Sequence, residues 1–359
     1  MLAVCVVGAR PNFMKIKPVM DALEARSVEV VLVHTGQHYD RSMSAVFFEE
    51  LGIRPPDRWL EVGSGRHAEQ TARVMIALDP VVAELDPDVV VVVGDVNSTM
   101  AASLVAAKSS CRLAHVEAGL RSRDWTMPEE VNRLVTDSVS DDLLAPSADA
   151  VDNLLGEGHP AARIHLVGNV MIDTLLANLP RAQAGDVLDR LGLAPRGYGL
   201  ITLHRPDNVD GPEMLAGLLK ALGRVATQCP LVFPAHPRVS AHLGAVDVPR
   251  EIRVVEPLGY LDFLALEAGA RLVLTDSGGV QEETTALGVP CLTLRDTTER
   301  PVTVTEGTNV VVGRDPARVV AEAARVLEEG VVARRPALWD GKAGERIGDV
   351  LLDDGRSRR

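Results

Sequence analysis

Aromatic side chains are scarce: Phe, Trp and Tyr together make up 3% of the 359 residues. That leaves little material for the stacking platforms of single-strand nucleic-acid binders. Positive charge is also in deficit. Lys and Arg number 37 against 50 Asp and Glu, a formal net charge of −13. This argues against general nucleic-acid binding, although a local group of arginines is enough to hold a nucleotide. No apolar run reaches membrane-spanning length, so no membrane association is expected. The first strand-like run, Leu2–Val7, lacks the basic flank and cleavage site of a secretory signal. The four cysteines, Cys5, Cys111, Cys229 and Cys291, lack metal-ligand spacing, and three lie in apolar runs. Buried thiols in a reducing cytoplasm, and no metal, are the expectation. The G-x-G-x-x-G fingerprint is missing from every strand-to-helix turn, so no nicotinamide dinucleotide is expected.

What the chain has is apolar, β-branched runs alternating with helical patterns. Strands are predicted at Leu2–Val7, Val28–His34, Val89–Val93, Arg112–Val116, Asp142–Ala145 and Arg163–Val167. A second series is predicted at Tyr198–Leu203, Pro230–Pro234, Ile252–Val254, Leu272–Thr275, Pro290–Leu294 and Asn309–Val312. Runs as apolar as the five consecutive valines at 89–93 belong where helices cover both faces of a sheet. The fold class is therefore α/β, with two Rossmann-like, doubly wound domains. The expected boundaries are 1–168 and 169–340, followed by a tail, 341–359, whose helix crosses back to the first domain. Ligands of such sheets sit beyond the carboxyl ends of the strands, so both domains are expected to face a central cleft.

The most informative stretch is Asp276-Ser277-Gly278-Gly279-Val280-Gln281-Glu282-Glu283, which follows the run Leu272–Thr275. Its small residues let backbone N–H groups close on an anion, and the start of the next helix adds its positive dipole end. Glu283, one turn further, can reach a ribose diol. The stretch suggests a nucleotide diphosphate site.

Other candidates also stand at predicted strand ends. Arg10 and Lys15 bracket a Pro11-initiated helix start, as phosphate contacts or as two solvated cations. Asp95 closes the valine strand, either as a helix N-cap or, with Asn97 or Ser98 capping instead, as a catalytic carboxylate. Glu117 closes the next strand, facing the same cleft or paired with Arg121. Glu129 and Glu130 begin a helix behind Pro128, which alone is ordinary dipole chemistry. His204 and Arg205 end one strand, His236 another, and Arg295 to Arg300 follow a third.

Taken together, these segments resemble the non-hydrolysing UDP-N-acetylglucosamine 2-epimerases over almost the whole chain. The matching pieces are Gly8-Ala9-Arg10-Pro11, Gly94-Asp95, His115 to Arg121, Pro128 to Arg133, His204-Arg205, Asp276 to Glu283 and Arg295 to Pro301. The resemblance implies a glycosyltransferase-B-like fold, no redox cofactor or metal, and a homodimer. It implies catalytic roles for Asp95, Glu117, Glu129 and His204. It implies nucleotide-sugar contacts from Arg10, Lys15, Phe263, Ser277, Gly278, Gly279, Glu283 and Arg300. Gln37, Arg73, Arg205 and His236 match positions that hold a second UDP-N-acetylglucosamine as allosteric activator.

The implied reaction is reversible inversion at C2 of UDP-N-acetylglucosamine, giving UDP-N-acetylmannosamine. No carbonyl acidifies that C2 hydrogen. Without a nicotinamide, expulsion of UDP from C1 is the remaining route, through a 2-acetamidoglucal. The rival readings are a hydrolysing 2-epimerase that releases UDP and N-acetylmannosamine, a glycosyltransferase using a UDP-sugar, and a non-enzymatic nucleotide-sugar sensor.

Overall fold

The computed structural model describes residues 1–36, 50–235 and 237–353, with Arg10 and Pro237 described by their backbone alone. The chain forms two compact units: Met1–Leu176 together with the stretch from Ala337 onward, and Ala177–Pro336.

The first unit is built on β1 (Leu2–Val7), β2 (Glu29–His34), β3 (Arg58–Trp59), β4 (Val89–Val93), β5 (Arg112–Val116), β6 (Asp142–Ala145) and β7 (Ile164–Leu166). They lie side by side in the order β3-β2-β1-β4-β5-β6-β7, every pair parallel. All five valines of β4 are buried. Val90 and Val92 pack with Leu78, Val82, Ala102 and Val105 on one face, and their neighbours are sealed on the other. This is the signature of a sheet covered on both sides.

The tail belongs to this unit. Its helix, Ala343–Leu351, starts on the Asp173 carboxylate, which accepts from the N–H groups of Ala343 and Gly344 at 3.1 and 2.7 Å. Trp339 is buried and donates to the Pro146 carbonyl at 3.0 Å.

The second unit carries β8 (Gly199–Thr202), β9 (Leu231–Pro234), β10 (Ile252–Val255), β11 (Leu272–Thr275), β12 (Cys291–Thr293) and β13 (Asn309–Val311). Their order is β10-β9-β8-β11-β12-β13, again all parallel. The core packs Ile201, Phe233, Leu274 and Leu292 against Leu219, Leu222 and Val326.

Counted from its own first strand, each sheet runs third, second, first, fourth, fifth, sixth, the doubly wound order, and the first sheet adds a seventh strand beyond the sixth. The direction of winding reverses between β1 and β4, and between β8 and β11. The loops after those strands are therefore where each unit has room for a ligand. Every strand predicted from the sequence forms, with each end within one residue. The addition is β3, a two-residue, exposed strand with no apolar pattern to announce it.

Candidate functional site

In the first unit the loops after β1, β4 and β5 meet because those strands are neighbours. The helix Arg10–Glu24 follows β1. Its Asn12 side chain accepts from the N–H of Gly8 and Ala9 and donates to the Val93 carbonyl, tying the β1 loop to the end of β4. One turn later, buried Lys15 places Nζ 2.5 Å from Glu117 Oε2. Gly94 fills the gap beside them. Its φ is +70°, and a Cβ there would lie 3.1 Å from Lys15 Nζ and 3.3 Å from Asn12 Nδ2. Both the backbone and the crowding demand glycine.

Glu117 itself is held at φ +72°, a left-handed conformation that strains a residue with a side chain. Its Oε1 is buried with no hydrogen-bond partner among the described residues. A strained carboxylate with one oxygen uncommitted is the arrangement expected of a group kept for chemistry.

Asp95 accepts from Arg133 at 2.6 and 3.1 Å, and Val96 holds the N-cap position of the following helix, Asn97–Ala106. Arg133 also pairs with Glu130 at 2.6 Å. Glu130 is buried and accepts from both N–H groups of the Ser122–Arg123 turn. Burial would raise its pKa, but those N–H groups and Arg133 outweigh it and hold the carboxyl below its ordinary value. Glu130 is thus fully employed, whereas Glu129, at the start of the same helix, Pro128–Val139, is half-buried. Arg121 turns away from Glu117, to Asp137 at 2.7 Å and Glu157 at 2.6 Å. His115 bridges Asp137 and the Gly94 carbonyl at 2.6 and 2.9 Å.

In the second unit the same logic joins the loops after β8 and β11. Asp276 is wholly buried. It accepts from the backbone of His204 and Arg205, from Asn208 Nδ2, and from His204 Nδ1 at 3.0 Å. Burial works to raise its pKa, but His204 and the N–H donors prevail and hold it below the ordinary value. A carboxylate on Nδ1 turns the other ring nitrogen, Nε2, outward as the working atom.

The next helix, Gly278–Leu287, begins at Ser277 with no side-chain cap, so its first N–H groups are left for an anion. Buried Arg300 stands at that terminus. A Cβ on Gly278 would fall 2.6 Å from its Nη1. Arg300 pairs with Glu282 at 2.9 Å and Glu299 at 2.6 Å, and Glu299 also pairs with Arg295 at 2.8 Å and Arg205 at 3.6 Å. Glu283 is buried on the same helix, and half-buried Phe263 lies on the helix Tyr260–Gly269.

Of the sequence-predicted residues, Lys15, Asp95 and Glu117 gather at the strand ends of the first unit, with Glu129 at the head of a neighbouring helix. His204, Arg205, Ser277, Gly278, Gly279 and Arg300 gather in the second, with Glu283 one turn along. Arg73 stands apart from the first group. It is exposed, bonded to the Val62 and Ser64 carbonyls and paired with Glu69. Gln37 and His236 lie outside the described residues, as does the Arg10 side chain. Sequence reading gave no role to the supporting residues Asn12, Arg133 and Asp276, although Arg133 and Asp276 lie inside the matching segments. Their signal was position: each is one to five residues from a residue that was singled out. Among the described residues, no three His, Cys, Asp or Glu side chains are grouped to hold a metal ion, and no helix is long and apolar enough to cross a membrane.

Two doubly wound parallel sheets, each with polar groups at its strand ends, define a two-domain α/β protein of the glycosyltransferase-B-like type. The fold alone is shared with the glycosyltransferase SnogD from Streptomyces nogalater, at TM-score 0.55 and 18% identity over 98% of this chain and 95% of that one. The family model for UDP-N-acetylglucosamine 2-epimerase matches residues 21–352, and the chain belongs to that family of isomerases. It is similar to the Methanocaldococcus jannaschii UDP-GlcNAc 2-epimerase, solved in complex with UDP-GlcNAc and UDP. The TM-score is 0.89 and the identity 41%, covering 98% of this chain and 99% of that one. It is also 41% identical, over 96% of its length and 98% of the relative's, to the UDP-2,3-diacetamido-2,3-dideoxy-D-glucuronate 2-epimerase of Pseudomonas aeruginosa.

Proposed function

We propose that the protein reversibly inverts C2 of UDP-N-acetylglucosamine, giving UDP-N-acetylmannosamine. UDP is eliminated to leave a 2-acetamidoglucal and is then re-added. The observation that carries this reading is the uncapped start of the Gly278–Leu287 helix, with buried Arg300 beside it and His204 oriented by Asp276 two residues before it. Such a terminus stabilises a departing diphosphate.

Loss of UDP builds positive charge at C1 and so acidifies the C2 hydrogen. In this reading the backbone at Ser277, Gly278 and Gly279 and the Arg300 guanidinium hold the diphosphate, with Arg10 and Lys15 as further cations. Glu283 takes the ribose, and Phe263 lines the nucleotide. His204 assists departure of UDP. Asp95, Glu117 and Glu129 share removal of the C2 proton and its return to the opposite face. The activator reading rests on Arg73 and Arg205, together with Gln37 and His236. A homodimer is part of the same reading, and a cytoplasmic setting fits the four buried free thiols.

The Pseudomonas aeruginosa relative acts on a different 2-acetamido sugar, so the sugar is tested separately from the reaction. UDP-N-acetylglucosamine, and in parallel UDP-2,3-diacetamido-2,3-dideoxy-glucuronate, is incubated with the enzyme in deuterated water and followed by proton and phosphorus NMR. Deuterium at C2 of the inverted product with the UDP linkage intact is the expected result for the first sugar. Accumulating free UDP would instead make the enzyme hydrolytic. An inverted product without deuterium would exclude proton exchange with solvent, and reaction of the second sugar alone would reassign the substrate.

A further inference from the structure

Pro18 stands inside the helix Arg10–Glu24, where an ordinary residue would donate its N–H to the carbonyl four residues back. Proline has no N–H, so the Met14 carbonyl loses that donor. A buried carbonyl without a donor is costly, and a replacement is expected. Thr174 supplies it from the helix Val170–Gln183, 160 residues away in the chain. Its Oγ1 donates to the Met14 carbonyl at 2.5 Å, in a buried contact.

The residue before Thr174 fixes the same place through the tail. Asp173 accepts from Ala343 and Gly344 at the start of the tail helix. Gly344 lies so near Pro18 that a Cβ on it would fall 2.4 Å from the Pro18 carbonyl oxygen. The adjacent residues Asp173 and Thr174 thus pin three helices together around Pro18.

The Met14 carbonyl shares one rigid peptide plane with the Lys15 N–H. Rotating that plane changes the direction in which the Lys15 side chain leaves the backbone. Lys15 is buried, with Nζ 2.5 Å from Glu117 Oε2. There is little slack around it, since a Cβ on Gly94 would already lie 3.1 Å from Nζ. We propose that Thr174 is a positioning residue for the Lys15–Glu117 pair. By donating to the carbonyl that Pro18 leaves unpaired, it sets the Met14–Lys15 peptide plane, and with it the place of Nζ against the Glu117 carboxylate. The catalytic consequence rests on the reading that Glu117 takes part in proton transfer at C2. The hydrogen bond and the peptide plane do not.

The test has two arms. Met14-Lys15 is the chain's single Met-Lys sequence. Labelling methionine at the carbonyl carbon and lysine at nitrogen with NMR-active isotopes therefore yields one correlated signal, from this peptide. In the free protein, Thr174→Val keeps the side-chain shape but loses the hydroxyl. It is expected to move the carbonyl-carbon resonance upfield, as loss of a hydrogen bond does. Thr174→Ser is expected to leave it near wild type. Pro18→Ala supplies the missing N–H, and adding it to Thr174→Val is expected to bring the resonance back. An unmoved signal in Thr174→Val, or one that Pro18→Ala does not bring back, overturns the proposal whatever the protein binds.

In the second arm, turnover of UDP-N-acetylglucosamine is measured on the same folded variants. Misplacing one catalytic contact is expected to lower kcat about tenfold in Thr174→Val, with Thr174→Ser within about twofold of wild type. Pro18→Ala combined with Thr174→Val is expected to recover most of the loss. A kcat unchanged in Thr174→Val while the signal moves overturns the positioning role and leaves a hydrogen bond that serves the fold alone. A wild type that does not turn the sugar over removes the reaction reading, and the catalytic consequence with it. The first arm then still decides whether Thr174 sets the peptide plane.

Discussion

His204 Nδ1 lies 3.0 Å from Asp276 Oδ1, and Asp276 has no solvent exposure. Four donors on three residues converge on that carboxylate: two backbone N–H groups, the Asn208 amide and the His204 ring. Only an acceptor fits there. Asp276→Asn places an NH₂ group against those N–H donors and is expected to lose about 1–3 kcal/mol of stability. It also leaves the His204 tautomer unspecified. We expect kcat to fall at least tenfold, as for His204→Gln, with a smaller change in KM, measured on protein whose native far-UV spectrum is confirmed. Undiminished kcat in Asp276→Asn would show that the orientation of His204 does not matter to turnover.

Lys15 and Glu117 form a buried ion pair whose side chains are 9% and 3% exposed. Removing one partner strands the other charge. Lys15→Met alone is expected to cost about 3–5 kcal/mol, because Glu117 is then buried with neither oxygen paired. Lys15→Met combined with Glu117→Gln is expected to recover much of that loss, since no net charge remains in the site. A double-mutant cycle by urea unfolding measures the coupling. Additive losses would mean that the two charges are not coupled in the folded state.

The contrast between strands and side-chain partners shows what the sequence could carry. The valine run at 89–93 and its counterparts announce buried parallel strands, because apolarity and length are local properties. β3 carries no such pattern and was invisible. The candidate residues were legible by address, since a polar residue directly after an apolar strand must stand at a sheet edge. Their partners were not. Glu117 had Arg121 four residues away as the obvious partner, yet it pairs with Lys15, and Arg121 goes to Asp137 and Glu157. Asp95 had a helix to cap next to it in the chain, and its partner Arg133 lies on a different helix, 38 residues on. These choices follow from the lateral order β1-β4-β5, which sets three distant loops side by side. Periodicity along one strand says nothing about which strand lies next to it.

Gly278 tests the close approach at the helix start. A methyl group there meets Arg300 Nη1 at 2.6 Å and Glu299 Oε1 at 2.8 Å. Arg300 cannot swing aside cheaply, because it is buried and paired with both Glu282 and Glu299. Gly278→Ala is expected to cost about 1–3 kcal/mol from overpacking. It should also weaken UDP binding, since the guanidinium that moves is the one assigned to the diphosphate. Equilibrium unfolding and UDP calorimetry on the same preparation separate the two effects. An alanine variant with wild-type stability and affinity would mean that the helix start is looser than these distances require.

Burial and the charge of Glu282 push the Glu283 carboxyl up to about 8 from an ordinary 4.5, and Glu267 is raised as well. Between those two pH values the folded chain binds more protons than the unfolded chain, so stability falls as pH rises. The contribution of this pair is complete below 4.5 and is lost as pH passes through 8. Asp276, Asp137 and Glu130 are shifted the other way. Their contribution is present above the ordinary carboxylate range and is lost in acid. Stability should therefore decline on both flanks, with separate carboxyls responsible for each. Urea unfolding at about pH 6 and about pH 9 is expected to show wild type losing stability on the alkaline side, and Glu267→Gln losing less, because one of the two ionisations is gone. The acid flank should be the same in both proteins. An alkaline slope as steep in Glu267→Gln as in wild type would place its cause outside this pair.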